Sequence, residues 1–189
     1  MAFPTSKLKA RGGDIYSHIF ENPTTGVARN HFWSITVDFD PIEYADELWN
    51  CSMTCEWLRF DVKRWTDIGT SLTLPADDDF AESSFYMTAH DLASSTKLVL
   101  SHLTANRFRA KLSMVIDFHG YTGDDADPEM RVTADTEIDY SGLSIVPDNL
   151  FPKPSTPDLA KDAASDFIDL NMYDEPVLQG HRFILKPKW

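Results

Sequence analysis

The residues of this chain best suited to chemistry are a run of carboxylates inside an otherwise strand-like region. The stretch Gly123-Asp124-Asp125-Ala126-Asp127-Pro128-Glu129 places oxygen ligands at alternate positions, which suits a hard cation such as calcium. It lacks the twelve-residue arrangement and the central glycine of an EF-hand. We therefore predict no metal site here and interpret Asp124, Asp125, Asp127 and Glu129 as a solvated acidic loop.

A second pattern with metal-binding character lies just before this loop. Asp117-Phe118-His119-Gly120 resembles the first metal-binding motif of metallophosphoesterases, in which an Asp and a His two positions apart at a strand end chelate one ion. The resemblance covers four residues, and the Gly-Asn-His-Asp/Glu block of that family is absent. We therefore interpret Asp117 as a strand residue and His119 as the start of the loop.

The cysteines and the remaining histidines give no complete catalytic set. Cys51 and Cys55 are the two cysteines; because a structural zinc needs four ligands, we interpret them as reduced thiols. His90 and Asp91 have the residue types of a base and its orienting carboxylate, but neighbours on an extended strand point to opposite faces. Phosphate-cradling, dinucleotide-binding and nucleophile-elbow motifs are also absent. We predict no cofactor and no catalytic residues, and leave open a site assembled from distant residues.

The charge balance restricts the classes of partner. Thirty acidic and seventeen basic residues give a formal net charge of −13. Nucleic acids and anionic membrane surfaces are bound through basic patches, so neither is expected as a partner, whereas a basic protein is compatible. The first residues contain no apolar signal segment and the apolar runs are too short to span a bilayer. We therefore expect cytoplasmic residence.

Two segments, 107–118 and 130–141, alternate apolar and polar residues in the period of strands with one buried face. Folding one back on the other predicts an antiparallel hairpin in which Lys111 faces Glu137 and Arg109 faces Asp139. Opposite charges across such a pair stabilise it by roughly 0.2–1 kcal/mol. A slip of one residue would turn the charges toward the core.

Weaker patterns suggest the other elements. Alternation predicts strands at 31–40, 57–62, 97–103 and 182–186, short strands at 71–74 and 84–88, and a bulge at Gly142. Residues 41–50 have helical character. Thr156-Pro157-Asp158 is a typical helix start, and the apolar stripe of Leu159, Ala163, Phe167 and Ile168 predicts a helix over 157–170.

Taken together, these elements indicate an α+β fold. We predict a mainly antiparallel β-sheet of five to eight strands with the C-terminal helix near 157–170 packed on it. The length of 189 residues fits one globular domain, 1–189. Residues 1–30 are rich in Gly, Pro and Asn and are expected to form an irregular lead-in. Residues 147–189 are expected to form a Pro-rich connector, the helix and a last strand.

Two functions are compatible with these observations. The first is a non-enzymatic cytoplasmic protein-interaction module, such as an acidic immunity-type or inhibitor-type protein that binds a basic protein partner. Its expected contact residues are Asp77, Asp78, Asp79, Asp124, Asp125, Asp127 and Glu129. The alternative is a small-ligand-binding protein, or an enzyme without a recognised motif, with a pocket between sheet and helix. Trp33 and Trp57 are expected in the core, and Trp65 and Trp189 at the surface.

Overall fold

The computed structural model describes residues 3–74, 80–87, 89–117 and 129–189. Most of this part of the chain forms strands: β1 (Ala10–Asn22), β2 (Val27–Phe39), β3 (Ile42–Tyr44), β4 (Glu47–Trp49), β5 (Ser52–Leu58), β6 (Gly69–Leu74), β7 (Glu82–Tyr86), β8 (His90–Thr104), β9 (Arg107–Asp117), β10 (Glu129–Ile145), β11 (Val177–Gln179) and β12 (Arg182–Leu185). The α-helix α1 (Pro157–Ala164) lies between β10 and β11. Short 3-10 turns occur at Thr5–Lys7, Trp65–Asp67, Pro147–Asn149 and Leu170–Met172.

Seven of the strands form a closed barrel. Their order is β1-β2-β5-β7-β8-β9-β10, each pair antiparallel, and β10 then pairs with β1 in parallel to close the ring. Beyond Tyr140, β12 follows β10 on the side opposite β1, and β11 pairs with β12. In the described residues the sheet is therefore mixed and closed, and it has ten strands. The prediction of a mainly antiparallel sheet of five to eight strands is confirmed only in that the fold is mainly β with a C-terminal helix.

Large side chains fill the barrel interior. Trp33, Phe85, Phe108 and Tyr140 are each at most 1% exposed and belong to one hydrophobic core, as expected for a barrel of this strand number. The Tyr140 hydroxyl lies 3.0 Å from Ser17 Oγ and 2.9 Å from Tyr173 Oη, so the polar group at its tip is satisfied. Burial raises the pKa of Tyr140, which keeps this hydroxyl protonated.

The predicted hairpin is present, but its register is wrong by two residues. Lys111 faces Asp135, Arg109 faces Glu137 and Arg107 faces Asp139. Two ion pairs run diagonally, with Arg107 Nη1 2.9 Å from Glu137 Oε2 and Arg109 Nε 2.5 Å from Asp135 Oδ1. A third joins the facing residues Lys111 and Asp135, with 3.6 Å between Nζ and Oδ2. A shift of two residues keeps every side chain on its own face, so alternation alone does not distinguish the two registers.

The region expected to be an irregular lead-in contains β1, one of the longest strands. The pair Gly12-Gly13 suggested a turn, but its role is close packing of two strands. A Cβ on Gly13 would lie 2.0 Å from the carbonyl oxygen of Thr36 on β2. The glycine therefore permits the approach of β2 and does not end the strand.

Residues 41–50, predicted to be helical, form the hairpin of β3 and β4. The turn residues Ala45 and Asp46 have φ values of 53° and 62°, which a right-handed helix does not allow. Trp49 Nε1 donates a hydrogen bond to the carbonyl oxygen of Tyr44 at 2.8 Å, which closes the hairpin.

The C-terminal helix begins as predicted and ends earlier. The N-cap Thr156 accepts a hydrogen bond from the Leu159 backbone N–H through Oγ1 at 3.3 Å, and the helix ends at Ala164 instead of residue 170. Its buried residues are Ala160 and Ala164, whereas Leu159 is 45% exposed. Within the described residues no helix is both long enough and apolar enough to cross a membrane.

Candidate functional site

A β-bulge on β5 places two consecutive side chains on the same outer surface of the barrel. Ile35 faces Cys55 and Trp33 faces Leu58, so Glu56 and Trp57 together oppose the single residue Ser34. Trp57 has a φ of 59°, which costs of order 1–3 kcal/mol for a residue with a side chain. In a regular strand Glu56 and Trp57 would point to opposite faces; here both line one cavity.

A second irregularity lies where the barrel closes. Ile15 on β1 faces Tyr140 and the next residue, Tyr16, faces Gly142, so Ser141 is the extra residue of a bulge on β10. Gly142 has a φ of 115°, and a Cβ there would lie 2.4 Å from the carbonyl oxygen of Leu185 on β12. The bulge predicted at Gly142 thus occurs, and it allows β12 to approach.

Between these two bulges a groove crosses the outer surface over β12, β10, β1, β2 and β5. It comprises two cavities of about 230 and 190 Å³ that share Tyr16, Ser144 and Arg182. We call it the closure groove. Its lining residues are Tyr16, His18, Ile19, Ser34, Glu56, Trp57, Ser141, Gly142, Leu143, Ser144, Val146, Asn149, Arg182 and Ile184.

Aromatic rings form one wall of the closure groove. The His18 ring stacks on Phe32 at 5.8 Å and meets the Trp57 ring edge-on at 5.0 Å, with Tyr16 at 6.3 Å. Burial lowers the pKa of His18 from 6.5 to about 4. The imidazole is therefore neutral at pH 7 and offers one hydrogen-bond donor and one acceptor.

One covered polar group in the groove has no hydrogen-bond partner among the described residues. The Ser144 hydroxyl is covered from solvent and unpartnered. Ser34, on β2, is a second polar residue of the groove and is only 1% exposed. A buried hydroxyl without a partner costs roughly 1–3 kcal/mol. The Ser144 hydroxyl is consequently available to a molecule that enters the groove.

Two opposite charges also line the larger of the two cavities. Glu56 extends from β5 and Arg182 from β12, and neither forms an ion pair with any described residue. The polar contact of the Arg182 guanidinium is with His181, at 3.4 Å between Nη2 and Nε2. Both charged groups can therefore form an ion pair with a bound molecule.

A separate cavity of about 290 Å³ lies between β2 and the segment that follows α1. We call it the helix-side cavity. Another cavity, of about 300 Å³, lies between α1 and β2 and is lined by Arg29, Leu159, Asp162 and Ala163, together with residues 152–154. The wall of the helix-side cavity includes His31, which is 5% exposed and whose two ring nitrogens lack a partner among the described residues. Burial lowers the pKa of His31 to about 3. The charged residues of its wall, Arg59, Asp61, Lys63 and Asp166, are exposed to solvent, as is Arg182 of the closure groove.

The residues expected to contact a basic partner lie, with one exception, outside the described part of the chain. Asp77, Asp78, Asp79, Asp124, Asp125 and Asp127 lie outside the described residues, as does His119, and Glu129 begins β10. In the part of the chain that is described, no group of three His, Cys, Asp or Glu residues is arranged to hold a metal ion.

The thiols and the His90 region show no catalytic arrangement. Cys51 and Cys55 are free and buried, and burial raises the pKa of these thiols to about 11 and about 12, so both are unreactive at neutral pH. His90 Nδ1 lies 3.0 Å from Ser84 Oγ beside a cavity of about 100 Å³. This cavity is much smaller than the usual ligand pockets of about 300–1,000 Å³.

Sequence analysis missed the residues of the closure groove because they come from five strands and from the segment after β10, which are distant along the chain. Trp57 was expected in the core, and the bulge that turns it outward has no local signal in Glu56-Trp57-Leu58. Trp65, expected at the surface, is 2% exposed, while Trp189 is 73% exposed as expected. Comparisons with known protein families, curated proteins and solved structures find no match for this chain.

Proposed function

We propose that this protein binds a small organic molecule in the closure groove. The observation that carries the proposal is the unpartnered polar lining: the covered Ser144 hydroxyl, the neutral His18 ring, and the unpaired charges of Glu56 and Arg182 surround one cavity. Ligand sites combine apolar walls with a few convergent polar groups. The closure groove has this composition, with Trp57 and Tyr16 as its aromatic residues.

Local backbone strain supports the same proposal. Bulges are over-represented beside binding sites, where they redirect a side chain. The two bulges on β5 and β10 border the groove, and the one on β5 holds Trp57 at a φ of 59°. A core position would have buried this tryptophan without such strain, so the cost is offset by a role for the indole at the surface.

We propose binding as the role of this site, in preference to catalysis. A nucleophilic mechanism needs a nucleophile within hydrogen-bond reach of a base that a third group orients. His18 and Ser144 are cross-strand partners, yet no hydrogen bond joins them. Glu56 approaches the groove from β5, on the far side of β2 from His18. His18, Ser144 and Glu56 therefore surround the cavity without forming the hydrogen-bonded chain that proton transfer requires.

The dye 8-anilinonaphthalene-1-sulfonate tests this proposal because its fluorescence rises in an apolar cleft. We expect saturable binding of one dye per chain, weakened roughly tenfold by Trp57→Ala or by His18→Ala through loss of aromatic contact. Phe167→Ala, which alters the helix-side cavity, is the matched control and should leave the affinity unchanged. Absence of saturable binding, or equal weakening by all three variants, would contradict the proposal.

The net charge of −13 favours a second candidate function, the protein-interaction module that binds a basic partner. Its on-rate should then fall steeply as salt is raised, because opposite charges steer the encounter. Affinity purification from the native lysate, followed by on-rate measurement at low and physiological salt with Asp77→Asn plus Asp79→Asn as the variant, tests this. Recovery of no stoichiometric partner, or a salt-independent on-rate, would argue against it.

A further inference from the structure

We infer that the ligand of the closure groove is a zwitterion, an amino acid with an apolar side chain. This inference rests on the proposed function and specifies its ligand. The groove presents one carboxylate and one guanidinium to the same cavity, with aromatic rings between them. An amino acid carries the complementary ammonium and carboxylate on a small apolar body.

The separation of the two charged groups favours a bridging ligand over a direct ion pair. Glu56 on β5 and Arg182 on β12 are four strands apart across the outer surface, and neighbouring strands lie roughly 4.8 Å apart. Their side chains extend over the intervening strands to the cavity of about 230 Å³ without meeting each other. Glu56 is partly buried and Arg182 is exposed. Charge-assisted hydrogen bonds stabilise such groups, and a molecule with both charges supplies a partner to each.

The bulge on β5 provides the contacts for the ammonium group of the ligand. It sets the Glu56 carboxylate and the Trp57 indole side by side on one surface. A carboxylate gives an ammonium an ion pair, and the face of a tryptophan attracts a cation. This pairing of consecutive residues explains why a strained bulge occurs here and not a regular strand.

The opposite end of the cavity suits a carboxylate. Arg182 supplies a guanidinium, Asn149 an amide and Ser144 an unpartnered hydroxyl, all of them hydrogen-bond donors. Arg182 and Ser144 also border the adjoining cavity with Leu143 and Ile184. An apolar side chain therefore has room between the rings of Tyr16 and His18 and this second cavity.

The charge of the whole chain is consistent with a zwitterion. A formal charge of −13 repels a simple anion at long range and attracts a simple cation. A zwitterion has no net charge, so the overall field neither repels nor attracts it. Recognition then depends on the two ends of the groove.

Three probes that differ in one group each test the inference: L-phenylalanine, 3-phenylpropanoate, which lacks the ammonium, and 2-phenylethylamine, which lacks the carboxylate. Calorimetric titration of the full chain should show L-phenylalanine binding roughly tenfold or more tightly than either analogue, because each charge-assisted contact contributes at least this much. Equal affinity of the three probes would overturn the inference.

Two substitutions test which residue binds the ammonium group of the ligand and which binds its carboxylate. Glu56→Gln should weaken L-phenylalanine and 2-phenylethylamine roughly tenfold and leave 3-phenylpropanoate unchanged, and Arg182→Gln should weaken L-phenylalanine and 3-phenylpropanoate but spare 2-phenylethylamine. Glu47→Gln and Arg131→Gln, on exposed positions away from the groove, are the matched controls and should change nothing. Equal weakening of all probes by either groove variant would overturn the assignment.

The dye titration separates this inference from the proposed function. Dye binding that depends on Trp57, together with no binding of L-phenylalanine, would overturn the amino-acid ligand and leave the groove as a binding site. Failure of both the dye and L-phenylalanine to bind would overturn both. L-phenylalanine binding that Glu56→Gln and Arg182→Gln do not alter would place the ligand outside the closure groove and overturn the inference.

Discussion

Two serines, one in the barrel interior and one in the closure groove, show that stability and binding make different demands on a buried hydroxyl. Ser17 and Ser144 are both covered serines on paired strands of the barrel, yet their hydroxyls differ. Ser17 Oγ lies 3.0 Å from the Tyr140 hydroxyl, whereas Ser144 Oγ has no partner among the described residues. The first hydroxyl stabilises the fold, and the second is unsatisfied until a ligand supplies a partner.

This difference gives a matched pair of substitutions. Ser144→Ala should leave the free energy of unfolding unchanged or raise it by about 1 kcal/mol, since it removes an unsatisfied polar group. Ser17→Ala should lower it by about 1 kcal/mol because it breaks a buried hydrogen bond. Urea denaturation measures both. Equal destabilisation by the two substitutions would contradict the description of Ser144.

The second prediction at this scale concerns His18 and pH. Burial lowers the pKa of His18 from 6.5 to about 4, so between these values the unfolded chain binds a proton that the folded chain does not. The free energy of unfolding should therefore fall as pH decreases from about 6.5 to about 4, by up to roughly 3 kcal/mol from this residue. His31, with a pKa lowered to about 3, acts in the same direction and extends the effect to lower pH.

Urea midpoints of the wild type and of His18→Gln at pH 7, 5.5 and 4.5 check this prediction. The carboxylates titrate in both proteins, so the comparison isolates the histidine. The variant should lose less stability than the wild type over this interval. Parallel pH dependence of the two proteins would show that His18 carries no such linkage.

At the scale of elements, the bulge at Gly142 joins the closing strand to its neighbour. A Cβ at Gly142 would lie 2.4 Å from the Leu185 carbonyl, and the φ of 115° disfavours any side chain. We expect Gly142→Ala to lower the free energy of unfolding by roughly 2–4 kcal/mol through strain and displacement of β12. Hydrogen exchange should also show faster exchange in β12.

Gly26→Ala is the control for this substitution. Gly26 also has a positive φ, 78°, but a Cβ there meets nothing within 4 Å. It should therefore lower the free energy of unfolding by roughly 1–2 kcal/mol, the cost of the left-handed backbone alone. A Gly142→Ala protein as stable as Gly26→Ala would mean that β12 does not need the close approach.

Elements with strong local signals were predictable. The cap at Thr156, the bulge at Gly142 and the alternation in β9 and β10 each follow from residue types that act within a few positions. The register between β9 and β10 was not predictable, because a shift of two residues keeps every side chain on its own face and still places most charges opposite a partner. Likewise, the residue types of Gly12-Gly13 alone indicate a turn. The reason for a glycine at position 13 is the close approach of the Thr36 carbonyl, 23 residues further along the chain.

At the scale of the whole molecule, the parallel pairing of β1 and β10 determines where the candidate site lies. It joins the first and the last barrel strands and so places His18 and Ser144, far apart in sequence, side by side. No local pattern predicts such a pairing, since closure depends on the number, tilt and stagger of all the strands. The closure groove is a consequence of the complete barrel, which is why the sequence indicated strands and not the site.

The most direct test of the central claim uses the five tryptophans of the chain as reporters. In a nitrogen-15 NMR spectrum each indole N–H gives its own signal, and L-phenylalanine is titrated into the protein. The signal of Trp57, in the groove, should shift, while those of the buried Trp33 and Trp65 and of Trp189, which is 73% exposed, should stay in place. An unchanged Trp57 signal, or an equal shift of Trp189, would contradict ligand binding in the closure groove.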